Sequence, residues 1–99
     1  MTAWDFYLHP AAVEEAEAAA RWYRERSARA AKRFVEELNQ VIDRILEAPH
    51  RWPLGTYGTR KLNFPCFPFS VVYWESEDHI RILAVAHGRR RPGYWKNRL

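Results

Sequence analysis

The residues of this chain best equipped for chemistry lie together near its end, in the stretch Val85-Ala86-His87-Gly88-Arg89-Arg90-Arg91-Pro92-Gly93-Tyr94-Trp95-Lys96-Asn97-Arg98. Acid–base chemistry at an anionic centre such as a phosphodiester needs a group to take a proton from the nucleophile, cations for the charge that develops and a proton for the leaving oxygen. His87, Arg89, Arg90 and Tyr94 are the candidate catalytic residues for that chemistry, Arg81 is a supporting cation earlier on the same strand, and Trp95 has the ring to stack on a base. The same stretch suits protein recognition, because Arg, Tyr and Trp dominate interface hot spots. On that reading Arg89, Arg90, Arg91, Tyr94, Trp95 and Arg98 are target-binding residues. A third role is packing, with Tyr94 and Trp95 folded back over a sheet and Arg98 paired to a helix carboxylate.

Charge follows the same division. Residues 1–78 carry ten Lys/Arg and all twelve Asp/Glu, whereas residues 79–99 carry six Lys/Arg and no acid, so the net +4 is concentrated at the end of the chain. A surface of one sign attracts a polyanion or an acidic partner, and a solvated basic tail has the same composition.

The rest of the composition narrows the field. Ninety-nine residues, 47% hydrophobic and 28% charged, suit one globular domain spanning 1–99. No apolar run is long enough to span a membrane, and Met1-Thr2-Ala3-Trp4-Asp5 lacks the charged-then-apolar order of a signal peptide, so a cytoplasmic location is expected. The four histidines and the lone Cys66 do not have metal-ligand spacing, and no cofactor is expected. His9, His50 and His79 fit cap, loop and turn positions, and Cys66, between prolines, fits a small packing residue.

The elements that position the tail follow from periodicity. Trp4, Phe6 and Leu8 alternate with Asp5 and Tyr7, which predicts a strand over 3–8 with one face on a core. His9-Pro10 opens a helix over 10–26 whose apolar stripe runs through Val13, Ala16, Ala20 and Tyr23, with Ala12, Ala19 and Trp22 beside it. Glu14, Glu15 and Glu17 sit in its early turns, where the helix dipole favours acids. Ser27 is the expected N-cap of a second helix over 28–47, marked by Ala31, Phe34, Leu38, Val41 and Ile45. Pro53, Gly55 and Gly58 make a loop, after which strands are predicted at 59–64, 68–75 and 79–87 as an antiparallel meander. In the last of them Ile80, Ile82, Ala84 and Ala86 are expected on one face and Arg81, Leu83, Val85 and His87 on the other. The fold class is therefore α+β, with an N-terminal strand, a helical hairpin and a three-stranded meander, the helices packed on one face of a small sheet.

That order of elements, together with Ala48-Pro49, Arg60-Lys61-Leu62, Phe67-Pro68-Phe69-Ser70-Val71-Val72-Tyr73 and the closing His87 to Arg98 stretch, resembles the RelE/ParE family of bacterial toxins over nearly the whole chain. The resemblance implies the toxin half of a type II toxin–antitoxin system of the plasmid-stabilisation kind, neutralised by a cognate antitoxin protein in a hetero-oligomer. RelE-type members cut messenger RNA on the ribosome, and by its offset from the last strand Tyr94 resembles the tyrosine they use at the cut. ParE-type members poison DNA gyrase. The nuclease branch usually has an arginine in a Tyr-Arg-Val-x-Tyr pattern on the middle strand, and this chain has Ser70 there, which cannot neutralise a phosphate. With its long helical hairpin, that departure favours the ParE-like branch.

Overall fold

Helix formation starts where proline chemistry predicts. In the computed structural model, which describes residues 5–99, α1 spans Pro10–Arg26, and the His9 side chain caps it by accepting from the Ala11 amide at 3.0 Å. Ser27 serves both helices. Its amide donates to the Tyr23 carbonyl and closes α1, while its hydroxyl accepts from Ala30 at 3.1 Å and opens α2, Ala28–Glu47. One residue between the helices forces an antiparallel hairpin. The buried stripe of α1 consists of Ala12, Ala19 and Ala20, whose small side chains let the helices approach closely. Val13, predicted on the stripe, and Trp22, predicted beside it, point outward, and Trp22 is 51% exposed.

Four strands form one mixed sheet: β1 (Asp5–Leu8), β2 (Arg60–Asn63), β3 (Phe69–Glu75) and β4 (His79–His87), in the order β1-β4-β3-β2. β2, β3 and β4 are the expected antiparallel meander, and β1 adds parallel to β4. Trp4 lies outside the described residues. Phe6 and Leu8 do not face a core as their alternation predicts; they remain 42% and 38% exposed. The reason is topological: α1 begins where β1 ends and runs on over β4, leaving the edge strand uncovered.

A bulge corrects the expected facing of β4. Val72 pairs with Ala84 while Tyr73 pairs with Ile82, so Leu83 is the extra residue and alternation slips by one. Ile80 and Ile82 share one face, as predicted, and it is the face that meets the helices. Beyond the bulge it is Val85 that joins the helix-side core, with His87 edge-on to Phe69, whereas Ala84 and Ala86 turn to the opposite face.

Each face of the sheet thus has its own core. Ile80, Ile82, Val71 and Tyr73 meet Phe34, Val41 and Ile45 of α2 on one side; Val72, Leu83 and Ala84 meet Trp95 of the tail on the other. Tyr73 is buried, and its hydroxyl donates to the Pro49 carbonyl at 2.6 Å. At the other end of the hairpin, Phe34 lies at the centre of an aromatic cluster, its ring 5.2 to 5.5 Å from those of Tyr23, Phe64, Phe67 and Phe69. Phe34→Ala should therefore cost about 3–5 kcal/mol of stability by urea unfolding, and a loss under about 1 kcal/mol would contradict this packing.

Candidate functional site

β1 covers β4 only as far as Ile82. From Leu83 onward the outer edge of β4 offers backbone groups to no strand, and buried groups of that kind require partners. α1 supplies one. Five residues of helix advance roughly 7 Å and three residues of strand roughly 10 Å, which brings Glu15 alongside Val85. There Oε1 accepts from the Val85 amide at 3.0 Å. Arg98 reaches the same edge from the tail: Nη1 donates to the Leu83 carbonyl at 3.0 Å and to Glu15 Oε1 at 2.9 Å, and Nη2 donates to Oε2 at 2.9 Å. Tyr94 completes the set, its hydroxyl donating to Glu15 Oε2 at 2.8 Å. Four hydrogen bonds fill the acceptor capacity of one carboxylate.

The clamp fixes the state of its members. Burial first, and then the hydrogen bond to Glu15, push the Tyr94 phenol up to about 12. The hydrogen bonds to Glu15 raise Arg98 further above its ordinary range. Tyr94 is therefore a protonated donor near neutral pH and its proton is already committed. The Arg90 guanidinium stacks on its ring at 3.8 Å from the centroid. Trp95, the next residue, is only 7% exposed and fills the second core.

Above the second core lies a cleft of about 570 Å³, between the 53–59 loop, the outer faces of β2 and β3, and residues 86–95. Lys61, Arg90 and Arg91 line it, along with His87 and Ser70, and none of its lining residues is acidic. Arg60 also reaches it but is held by Glu75 and the Trp52 carbonyl. Tyr57 stands at the rim with φ 59° and ψ 23°, a backbone region that non-glycine residues seldom adopt. Its ring meets Trp95 edge-on at 5.9 Å, and a Cβ on Gly93, at φ +78°, would come within 3.3 Å of it. The positive φ favours glycine there, and a Cβ would also press the Tyr57 ring aside.

The predicted residues divide accordingly. His87, Arg90, Arg91, Tyr94 and Trp95 gather at this cleft. Arg89 and Arg91 are exposed and, among the described residues, make no ion pair. His87 Nδ1 accepts from the Arg89 amide at 3.0 Å, which occupies the lone pair a base would use on that side of the ring. Arg81 is not part of the group: six residues earlier on β4, roughly 20 Å away, it stacks on Trp74 and lines a separate hollow with Tyr7, His9, His79 and Arg98. Arg98 is held in the clamp by Glu15. Cys66 is exposed instead of packed, with the Arg33 Nη2 donating to its sulfur at 3.4 Å.

The helix carboxylate expected for Arg98 is Glu15, which the sequence reading did not single out; Tyr57 and Lys61 were not foreseen at all. Glu15 had a signal: Ala11, Ala12, Ala18 and Ala19 lie three and four residues from it, so among the carboxylates of α1 it alone has alanine at every neighbouring helical position. Tyr57 and Lys61 had none, because their place depends on the fold of the loop.

Comparison with known proteins supplies the family. A family model described as "ParE toxin of type II toxin-antitoxin system, parDE" matches residues 6–92. A solved structure described as "Chromosomal ParDE TA system from P. aeruginosa" has the same fold, with a TM-score of 0.74 at 17% identity, covering 86% of this chain and 96% of that one. The comparison with curated proteins returns no match. Among the described residues no helix is long and apolar enough to cross a membrane.

Two measurements check the clamp. Glu15→Ala strands an arginine, a phenol and an amide at once and should cost about 3 kcal/mol or more, whereas Tyr94→Phe loses one hydrogen bond, about 1 kcal/mol. The unfolded chain releases a tyrosine proton near 10 and the folded chain holds those of Tyr73 and Tyr94 to about 12. The stability contributed by these two phenols is therefore fully present below pH 10 and is lost as pH rises from 10 toward 12. An absorbance titration of Glu15→Gln should bring one phenol back toward 10, and an unshifted curve would count against the clamp.

Proposed function

The chain belongs to the ParE toxin family of type II toxin–antitoxin systems, and from that premise we propose that it arrests growth by binding DNA gyrase through the exposed face of its tail. A cognate antitoxin, joined to it in a hetero-oligomer, holds it inactive. The observation that carries the reading is the commitment of Tyr94: its hydroxyl donates to Glu15 at 2.8 Å and the phenol stays protonated up to about 12. A phenol held in that way supports a wall more readily than a proton shuttle. Ser70, whose hydroxyl donates to Asn63 Oδ1 at 2.7 Å, adds no cation at the place where a nuclease of the wider family would have one. What remains outward is cationic and aromatic: Arg89, Arg91, Lys61 and Tyr57 around a cleft whose floor is the Trp95-filled second core. Such a surface suits recognition, with arginine and tyrosine anchors at its edge.

The competing reading is ribosome-dependent cleavage of messenger RNA by His87, Arg89 or Arg90, and Tyr94. His87 at the cleft wall favours it, since one imidazole nitrogen is left by its contact with the Arg89 amide. Brief induction in growing cells separates the two. Gyrase-dependent double-strand breaks with intact messengers are expected, and rescue by co-expression of the adjacent reading frame identifies the antitoxin. New messenger 5′ ends within codons, with unbroken DNA, would establish the nuclease instead. The variant Arg89→Ala/Arg91→Ala should weaken gyrase binding by about tenfold or more without changing the thermal melt.

A further inference from the structure

The sequence divides into a balanced body and a basic tail, but the fold redistributes that charge. Residues 21–33, the tip of the helical hairpin, contain six Lys/Arg and the single acid Glu25. The average over 1–78 hides this cluster, because Glu14, Glu15 and Glu17 precede it and Glu36, Glu37, Asp43 and Glu47 follow it. Contacts then bring the tip beside the tail. The Tyr23 ring meets Phe67 at 4.9 Å, Arg33 donates to Cys66 in the same β2–β3 connection, and the Pro68 carbonyl of that connection accepts from Gly88 at 2.8 Å. Two basic clusters about sixty residues apart in the chain therefore share one end of the molecule, joined across 65–68. The opposite end holds the β3–β4 turn with Glu77 and Asp78 and the last turns of α2 with Asp43 and Glu47.

Internal stability accounts for only part of the tip: Arg24 and Arg26 lie in the last turn of α1, where the helix dipole favours cations. Arg26 is engaged, stacked on Trp22 at 3.6 Å, and Arg33 reaches Glu37 and Cys66. Arg21, Arg24, Arg29 and Lys32 are exposed and, among the described residues, make no ion pair. Arg29 and Lys32 lie in the first turns of α2, which has no acid in its first turn, so their charge adds to the positive end of the helix dipole instead of opposing it. A stability-driven sequence would place acids there.

We propose that this end of the molecule, from Arg21, Arg24, Arg29 and Lys32 on the hairpin tip to Arg89 and Arg91 on the tail, is a binding surface for the phosphate backbone of duplex DNA. Its chemistry fits that partner better than an acidic protein. A protein interface needs a desolvated apolar centre, whereas within residues 21–33 the exposed large apolar side chain is Trp22 alone, 51% exposed, with the Arg26 guanidinium stacked on its ring. Guanidinium groups spread over two elements suit the regular phosphates of a duplex, where affinity comes from counterion release. The inference does not rest on gyrase being the target, since the binding it describes needs neither gyrase nor antitoxin.

The test is fluorescence anisotropy of the purified protein with a short labelled duplex of mixed sequence, over a series of salt concentrations. Arg24→Gln/Arg29→Gln and Arg44→Gln/Arg51→Gln remove the same net charge from opposite ends of the hairpin. The tip pair should lose at least about tenfold in affinity at low salt and lower the slope of log K against log salt by about 2. Arg89→Gln/Arg91→Gln should behave like the tip pair, and the far pair should stay within about twofold of the parent. Equal losses in tip and far pairs would reduce the effect to net charge and overturn the proposal. So would absence of duplex binding by the folded parent, or tighter binding of single-stranded RNA of the same length.

Discussion

One carboxylate holds the tail in place. Glu15 stands where β1 has ended and β4 continues, and it takes the role a further strand would have had at Val85. Because it also receives both Arg98 nitrogens and the Tyr94 hydroxyl, the first helix, the central strand and the tail meet at a single group. An ion pair only partly open to water gains from its fork geometry and from having every acceptor position filled. Without Glu15, Arg98 and Tyr94 would lose the partner that draws the tail across the outer face of the sheet.

The clamp and the second core depend on each other. Trp95 closes over Val72, Leu83 and Ala84 because the residues on either side of it, Tyr94 and Arg98, are tied to Glu15. The Leu83 bulge turns Ala84 and Ala86 toward that face, where their small side chains leave room for the indole and for the cleft. With the tail anchored from below, Arg89 and Arg91 are left facing outward. Anchoring and presentation are thus assigned to different residues of one stretch, although all of them have similar chemistry.

Much of the fold was legible because local rules agreed with the tertiary structure. The bounds of both helices follow from Pro10, Ser27 and Pro49, and the meander follows from its short turns. The facing of β4 was not legible after Ile82, since a bulge depends on pairing with β3 and leaves no mark in an apolar run such as Leu83-Ala84-Val85. Phe6 and Leu8 alternate correctly yet stay exposed, because burial of an edge strand depends on where the helices pass. At the site, the gathering of His87, Arg90, Arg91, Tyr94 and Trp95 was visible from adjacency in the chain. Arg81 was grouped with them by sharing their strand, which distance along that strand undoes. The basic hairpin tip was invisible to regional charge sums, and only the Tyr23–Phe67 contact and the Pro68–Gly88 hydrogen bond place it beside the tail.

Tyr94 serves the architecture: its ring supports Arg90 and its hydroxyl serves Glu15. A nuclease would need that hydroxyl at the phosphate, whereas a binding toxin needs only the ring in position. The most direct measurement is growth arrest on expression of Tyr94→Phe, alongside the parent and with equal soluble protein. Arrest as strong as the parent's is the predicted result, and loss of arrest in a folded Tyr94→Phe protein would contradict the account.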